Sequence, residues 1–143
     1  MAENMTLLDM LKQSDGLLFM PANAGDLAGV LNRVRDELGV EPPDDYMALL
    51  HQTDGVVADG VMIYGSKERE FDDVEMPELV EINLRRRDYR EDLTGLLLLG
   101  EKDDDFIGYR VADSRYGWID RVSGDFSDEA GDLHTLITLL LRP

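Results

Sequence analysis

The chain has 143 residues, with 31 Asp plus Glu against 14 Lys plus Arg and a formal net charge of -17. So acidic a surface repels nucleic acid and anionic lipid and attracts a cationic partner. A cysteine count of zero excludes disulfides, thiol catalysis and Cys-based metal centres, while 43% hydrophobic residues supply a core and argue against disorder.

Leu7, Leu8 and Leu11 recur at helical spacing and predict a helix over Met5 to Gln13. Leu17 to Met20 is an apolar run stopped by Pro21, read as a short strand or a hydrophobic strap over the core. Leu27, Val30, Leu31, Val34 and Leu38 form one helical stripe. Asn23 with Asp26 resembles a capping box at its start, and Gly39 suits the left-handed end. Pro42-Pro43-Asp44-Asp45 opens the next helix, because proline fits the first turn and Asp meets its unsatisfied N–H groups. Its Tyr46, Leu49 and Leu50 turn to the core, and Asp54-Gly55 ends it.

Val61 to Tyr64 reads as a strand closed by Gly65, and the charged, aperiodic stretch from Ser66 to Met76 reads as a surface loop. Pro77 starts a helix with Leu79, Ile82, Arg86 and Tyr89 on one face. Leu96 to Leu99, Phe106 to Ala112 and Gly117 to Val122 are candidate strands, and their short connections predict antiparallel pairing. Leu133, Leu136, Ile137 and Leu140 predict a docked C-terminal helix, its apolar face widened by Leu139 and Leu141. Helices, then strands, then one helix define an α+β class, and residues 1–143 hold no internal repeat or linker, so a single domain is expected.

Carboxylates dominate the available chemistry. Asp103-Asp104-Asp105 offers oxygen ligands to Ca²⁺ or Mg²⁺, but EF-hand spacing is not met and a solvated turn explains the run. His51 and His134 belong to no HxxxH or HExxH pattern, and no nucleophile elbow or phosphate loop is present. No catalytic, cofactor or metal residue is assigned, and no cofactor is expected. The one basic cluster is Arg85, Arg86, Arg87 and Arg90. It suits phosphate or RNA, or else pairs along its helix with Glu78, Glu81, Asp88, Glu91 and Asp92. A nucleotide phosphate entering so acidic a field needs a local basic site or a metal to offset it. Trp118 reads as sheet core or as an interface anchor. The N-terminus carries Glu3 and no apolar run of signal-peptide length, and no stretch approaches a membrane span, so a cytoplasmic protein without membrane or nucleic-acid partners is expected.

The helix Pro43 to Leu50 runs into Gln52-Thr53-Asp54-Gly55 and then Val61-Met62-Ile63-Tyr64-Gly65. Leu96-Leu97-Leu98-Leu99-Gly100 follows, before the strands Phe106 to Val111 and Gly117 to Val122. Together these segments resemble the SMI1/KNR4 family of the SUKH superfamily over Leu27 to Leu140. Pro42-Pro43 stands where that family has Leu-Pro, and Asp54-Gly55 where it has Asn-Gly. The resemblance implies an α+β fold, a twisted antiparallel sheet flanked by helices. It also implies a bacterial immunity protein, a cytoplasmic partner that neutralises a toxin, and it carries over no catalytic residue. The expected function is a non-enzymatic acidic module binding a basic, nuclease-type toxin domain. A nuclease cleft is basic because it holds a polyanion, and an acidic partner steers toward it. Candidate contacts are Asp59, Glu68, Glu70, Asp72, Asp73 and Glu75 in the central loop, and Asp103, Asp104 and Asp105 in the later turn. A regulatory or scaffold protein of the same fold is the rival, and a metal-dependent hydrolase the alternative of a different class. Like charge opposes self-association, so a monomer or weak homodimer is expected.

Overall fold

Asn23 sets the first described helix. Its Oδ1 accepts from the Asp26 N–H at 2.8 Å, and the Asp26 carboxylate accepts from the Asn23 N–H at 3.3 Å. Two orphan donors are thereby satisfied reciprocally. The computed structural model describes residues 17–18, 20–58, 60–71, 74–88 and 90–140. The helix expected over Met5 to Gln13 lies outside them, as do Asp59, Asp72, Asp73, Tyr89 and Leu141.

Helix α1 spans Ala24–Arg33 and continues as a π-helical turn, Val34–Leu38. Gly39 ends it at φ 71°, where glycine carries no Cβ penalty. Helix α2 is Asp44–Gln52, with Pro43 at the cap and Tyr46, Leu49 and Leu50 buried. The apolar run before Pro21 resolves to a short strand, β1, Leu17–Leu18. Next come β2 (Val56–Ala58) and β3 (Val61–Ile63), then β4 (Arg69–Phe71) and β5 (Val74–Met76). Helix α3 is Leu79–Arg87, followed by a 3-10 turn, Glu91–Leu93. Strands β6 (Leu96–Lys102), β7 (Asp105–Arg110), β8 (Arg115–Ile119) and β9 (Phe126–Ala130) precede α4, Leu133–Leu140.

The result is an α+β fold in which helices flank an antiparallel sheet of order β1-β2-β3-β6-β7-β8-β9. Residues opposite one another in a ladder share a face. Glu101, Phe106, Ile119 and Phe126 therefore lie on one face, and Ile107, Trp118 and Ser127 on the other. Helix α3 crosses the first face, where the Arg86 guanidinium carbon lies 5.4 Å from the Phe106 ring centre. Helix α4 packs against β8 and β9, and its four periodic residues, Leu133, Leu136, Ile137 and Leu140, are all buried as expected.

At Leu99 the β6–β7 register shifts. Buried Asn83 on α3 exchanges hydrogen bonds with the Leu98 backbone there, its Oδ1 accepting from the N–H and its Nδ2 donating to the carbonyl, each at 2.8 Å. A buried amide thus satisfies backbone groups that a regular ladder would have paired.

Three expectations need correction. The stretch from Ser66 to Met76 is a hairpin, β4–β5, rather than an irregular loop. Strand β9 was not anticipated, because Ser127, Asp128 and Glu129 are all exposed at a sheet edge and Asp128 takes a positive φ. Two of the carboxylates expected to neutralise the arginine-rich helix turn elsewhere. Glu78 and Glu81 pair with Arg33 across to α1 at 3.0 and 2.8 Å, while Arg87 turns inward to the Leu38 and Leu96 carbonyls. Burial holds the Arg87 guanidinium below its ordinary pKa.

Candidate functional site

The acidic hairpin stands on a fixed root. Gly65 forms a parallel bridge with Glu78, and the Leu79 N–H donates to the Gly65 carbonyl at 3.0 Å. Asp54 is fully buried, and its two carboxylate oxygens accept from the Ser66 N–H and hydroxyl, each at 2.7 Å. A Cβ on Gly65 would sit 2.7 Å from the Asp54 carbonyl oxygen, so only glycine permits this approach. The Tyr46 hydroxyl donates to the Tyr64 carbonyl at 2.6 Å, and burial holds that phenol well above its ordinary pKa. Glu78 closes the other side by capping α3, its carboxylate accepting from the Val80 and Glu81 N–H groups at 3.0 Å.

On this root, Glu70 and Glu75 are direct cross-strand partners, and both are exposed. Like charges in that relation oppose strand pairing. Exposed Glu68 lines a small cleft of about 70 Å³ with Glu75, Glu81 and Arg85. Between these carboxylates and the core, Met76 turns inward and is fully buried against Gly55. The fold therefore brings Glu68, Glu70 and Glu75 together at one end of β3.

The other candidates lie at the opposite end. Asp103 and Asp104 make the two-residue turn between β6 and β7, with Asp103 at φ 54°. Val61 pairs with Lys102, which fixes that turn beside the β2–β3 connection. Asp103 and Asp104 are exposed. Asp105 is half-buried, and its carboxylate accepts from the Arg121 N–H at 3.0 Å, so it braces the chain rather than facing solvent freely. The described candidates thus form two separate acidic patches. Among the described residues, no group of three or more His, Cys, Asp or Glu side chains is placed to hold a metal ion.

A larger cleft, about 330 Å³, opens between α2 and α4 beside Asp45, Gln52 and His134. Its carboxylates are occupied as helix caps. Asp45 accepts from the Leu133 N–H at 3.2 Å, and Asp132 from the Thr135 N–H at 2.7 Å. Trp118, between the two readings the sequence left open, is half-buried against the core, with Lys102 5.9 Å from its ring centre. Arg86, from the basic cluster, and Arg121, which sequence reasoning assigned to no site, both lie near the Phe106 ring, their guanidinium carbons 5.4 and 5.0 Å from its centre. Nothing in their separation along the chain announces that arrangement.

The fold and surface together define an α+β protein with a helix-flanked antiparallel sheet and exposed acidic patches. No protein-family model matches the sequence, and no curated protein matches it. No helix among the described residues is long and apolar enough to cross a membrane.

Proposed function

We propose that this chain is a non-enzymatic protein-binding module, most concretely a cytoplasmic immunity protein of the SMI1/KNR4 type that captures a basic toxin domain. One observation carries the reading: Glu70 opposes Glu75, with Glu68 nearby, on a hairpin whose root is rigidly built. The like-charge pair works against the hairpin's own stability. A Lys or Arg from a partner placed between the two carboxylates converts that repulsion into two ion pairs. The chain's charge of -17 adds long-range steering toward such a partner.

The test is co-expression with a toxin domain encoded beside this gene, read as survival and as association rate in stopped flow. The triple variant Glu68→Lys, Glu70→Lys, Glu75→Lys is expected to slow association by roughly tenfold or more at low salt and to flatten its salt dependence. An unchanged rate and an unchanged salt slope would remove the hairpin from the interface.

A further inference from the structure

Most arginines described here end on an acceptor. Arg33 and Arg35 reach Glu37 and Glu41, Arg110 reaches Asp113 and Glu129, and Arg87 and Arg90 donate to backbone carbonyls. Arg86 and Arg121 are different. Among the described residues neither forms an ion pair or a side-chain hydrogen bond, and the Nε of each is buried without a partner. Both are half-buried, and their guanidinium carbons lie 5.4 and 5.0 Å from the centre of one ring, that of Phe106.

The surroundings sharpen the imbalance. Glu101, the ladder partner of Phe106, accepts from the Tyr64 hydroxyl at 2.6 Å instead of pairing with either arginine. Asp105 is engaged by the Arg121 backbone N–H. Arg90 approaches as well, donating to the Arg121 carbonyl. Glu101 and Asp105 are thus engaged by groups other than the Arg86 and Arg121 guanidinium groups. Burial and then Glu101 raise the Tyr64 pKa, whereas Arg86 and Arg121 act to lower it, which places all four groups within one electrostatic neighbourhood.

We propose that Arg86 and Arg121 form an oxyanion site for a phosphate group. Two guanidinium groups that lie near one aromatic ring and that no described carboxylate pairs with have N–H donors to offer an anion, and guanidinium fork geometry matches phosphate oxygens. A doubly charged tetrahedral anion engages both forks, whereas chloride offers a single point of contact. The ring holds the forks in place before binding, so less side-chain freedom is lost when the anion arrives. The site is distinct from the acidic hairpin and does not rest on the toxin-binding reading.

The full chain is titrated with inorganic phosphate, and separately with phenyl phosphate, at constant ionic strength. Binding is read from arginine Nε–Hε cross-peaks in ¹H–¹⁵N spectra. Saturable shifts of Arg86 and Arg121 are expected, with affinity roughly tenfold weaker in Arg86→Gln and in Arg121→Gln. Arg35→Gln, which removes a guanidinium bonded to Glu41, is expected to leave the affinity unchanged. Tighter binding of the ester assigns the site to esterified phosphate, and equal or weaker binding assigns it to the free ion. Arg86→Lys and Arg121→Lys keep the charge but lose the fork; they are expected to bind more weakly and decide the matter if a glutamine variant does not fold. No saturable shift, the same response to chloride, or undiminished affinity in the variants overturns the proposal.

Discussion

Asp54 and the Glu70–Glu75 pair are carboxylates that precede and follow β3 in the chain, yet they do opposite work. Asp54 is wholly buried, and both its oxygens accept from Ser66. Glu70 and Glu75 are exposed and stand opposite each other, with like charge where a sheet gains from unlike charge. A buried carboxylate is tolerable only when its lone pairs are satisfied, so its partners are fixed within the chain. An exposed carboxylate is solvated and needs no internal partner, so it stays available to an external one. The same chemical group builds the root of the hairpin and supplies its reactive charge.

Breaking the buried side gives the largest effect. Asp54→Ala leaves the Ser66 N–H and hydroxyl without their acceptor and is expected to cost about 3 kcal/mol in urea unfolding. A cost below about 1 kcal/mol would mean that water replaces the carboxylate and that the root is not rigid.

An intermediate case lies at α4. The Asp132 carboxylate accepts from the Thr135 N–H, and that hydrogen bond, named first among its causes, holds its pKa below the ordinary value. Asp132→Ala is expected to cost about 1 kcal/mol near neutral pH. The pH dependence follows from the direction of the shift. A carboxylate with a depressed folded pKa contributes stability above its unfolded value, about 3.9, and loses it as pH falls through the folded value. The difference between wild type and variant in thermal melts should therefore shrink as pH drops below about 4 and vanish in stronger acid.

The smallest effect, and the sharpest, is on the exposed side. Glu75→Lys replaces a like-charge cross-strand pair with an unlike one and is expected to stabilise the chain by a few tenths of a kcal/mol at low salt. Added salt should erase the gain, because surface charges are screened. A variant that is more stable yet slower to capture a basic partner separates function from stability at this position. Destabilisation by Glu75→Lys would show instead that Glu75 supports the hairpin.

Much of this was legible in the residues. Asn23 and Asp26 announced a cap, Gly39 a left-handed stop, and Leu133, Leu136, Ile137 and Leu140 a buried helical face. These features depend on neighbours within a few positions, where backbone geometry alone fixes the outcome. The hairpin was read as a loop because its strands are only three residues each and its apolar members are few. Strand β9 was missed because the sheet edge buries only Phe126 in part and Ala130 fully. The candidate carboxylates Glu68, Glu70 and Glu75 were found by charge and exposure, but their separation from Asp103 and Asp104 was set by strand register.

The sequence alone determined the acidity, the absence of thiol chemistry, the α+β order and the helix ends, since each follows from composition or from local geometry. Tertiary structure alone decided which charges face water and which are consumed. It placed Arg33 on Glu78 and Glu81, buried Asp54 on Ser66, and set the Arg86 and Arg121 guanidinium carbons 5.4 and 5.0 Å from the Phe106 ring centre. Those outcomes depend on contacts between residues far apart in the chain, which ladder register and helix packing fix only when the whole sheet is assembled.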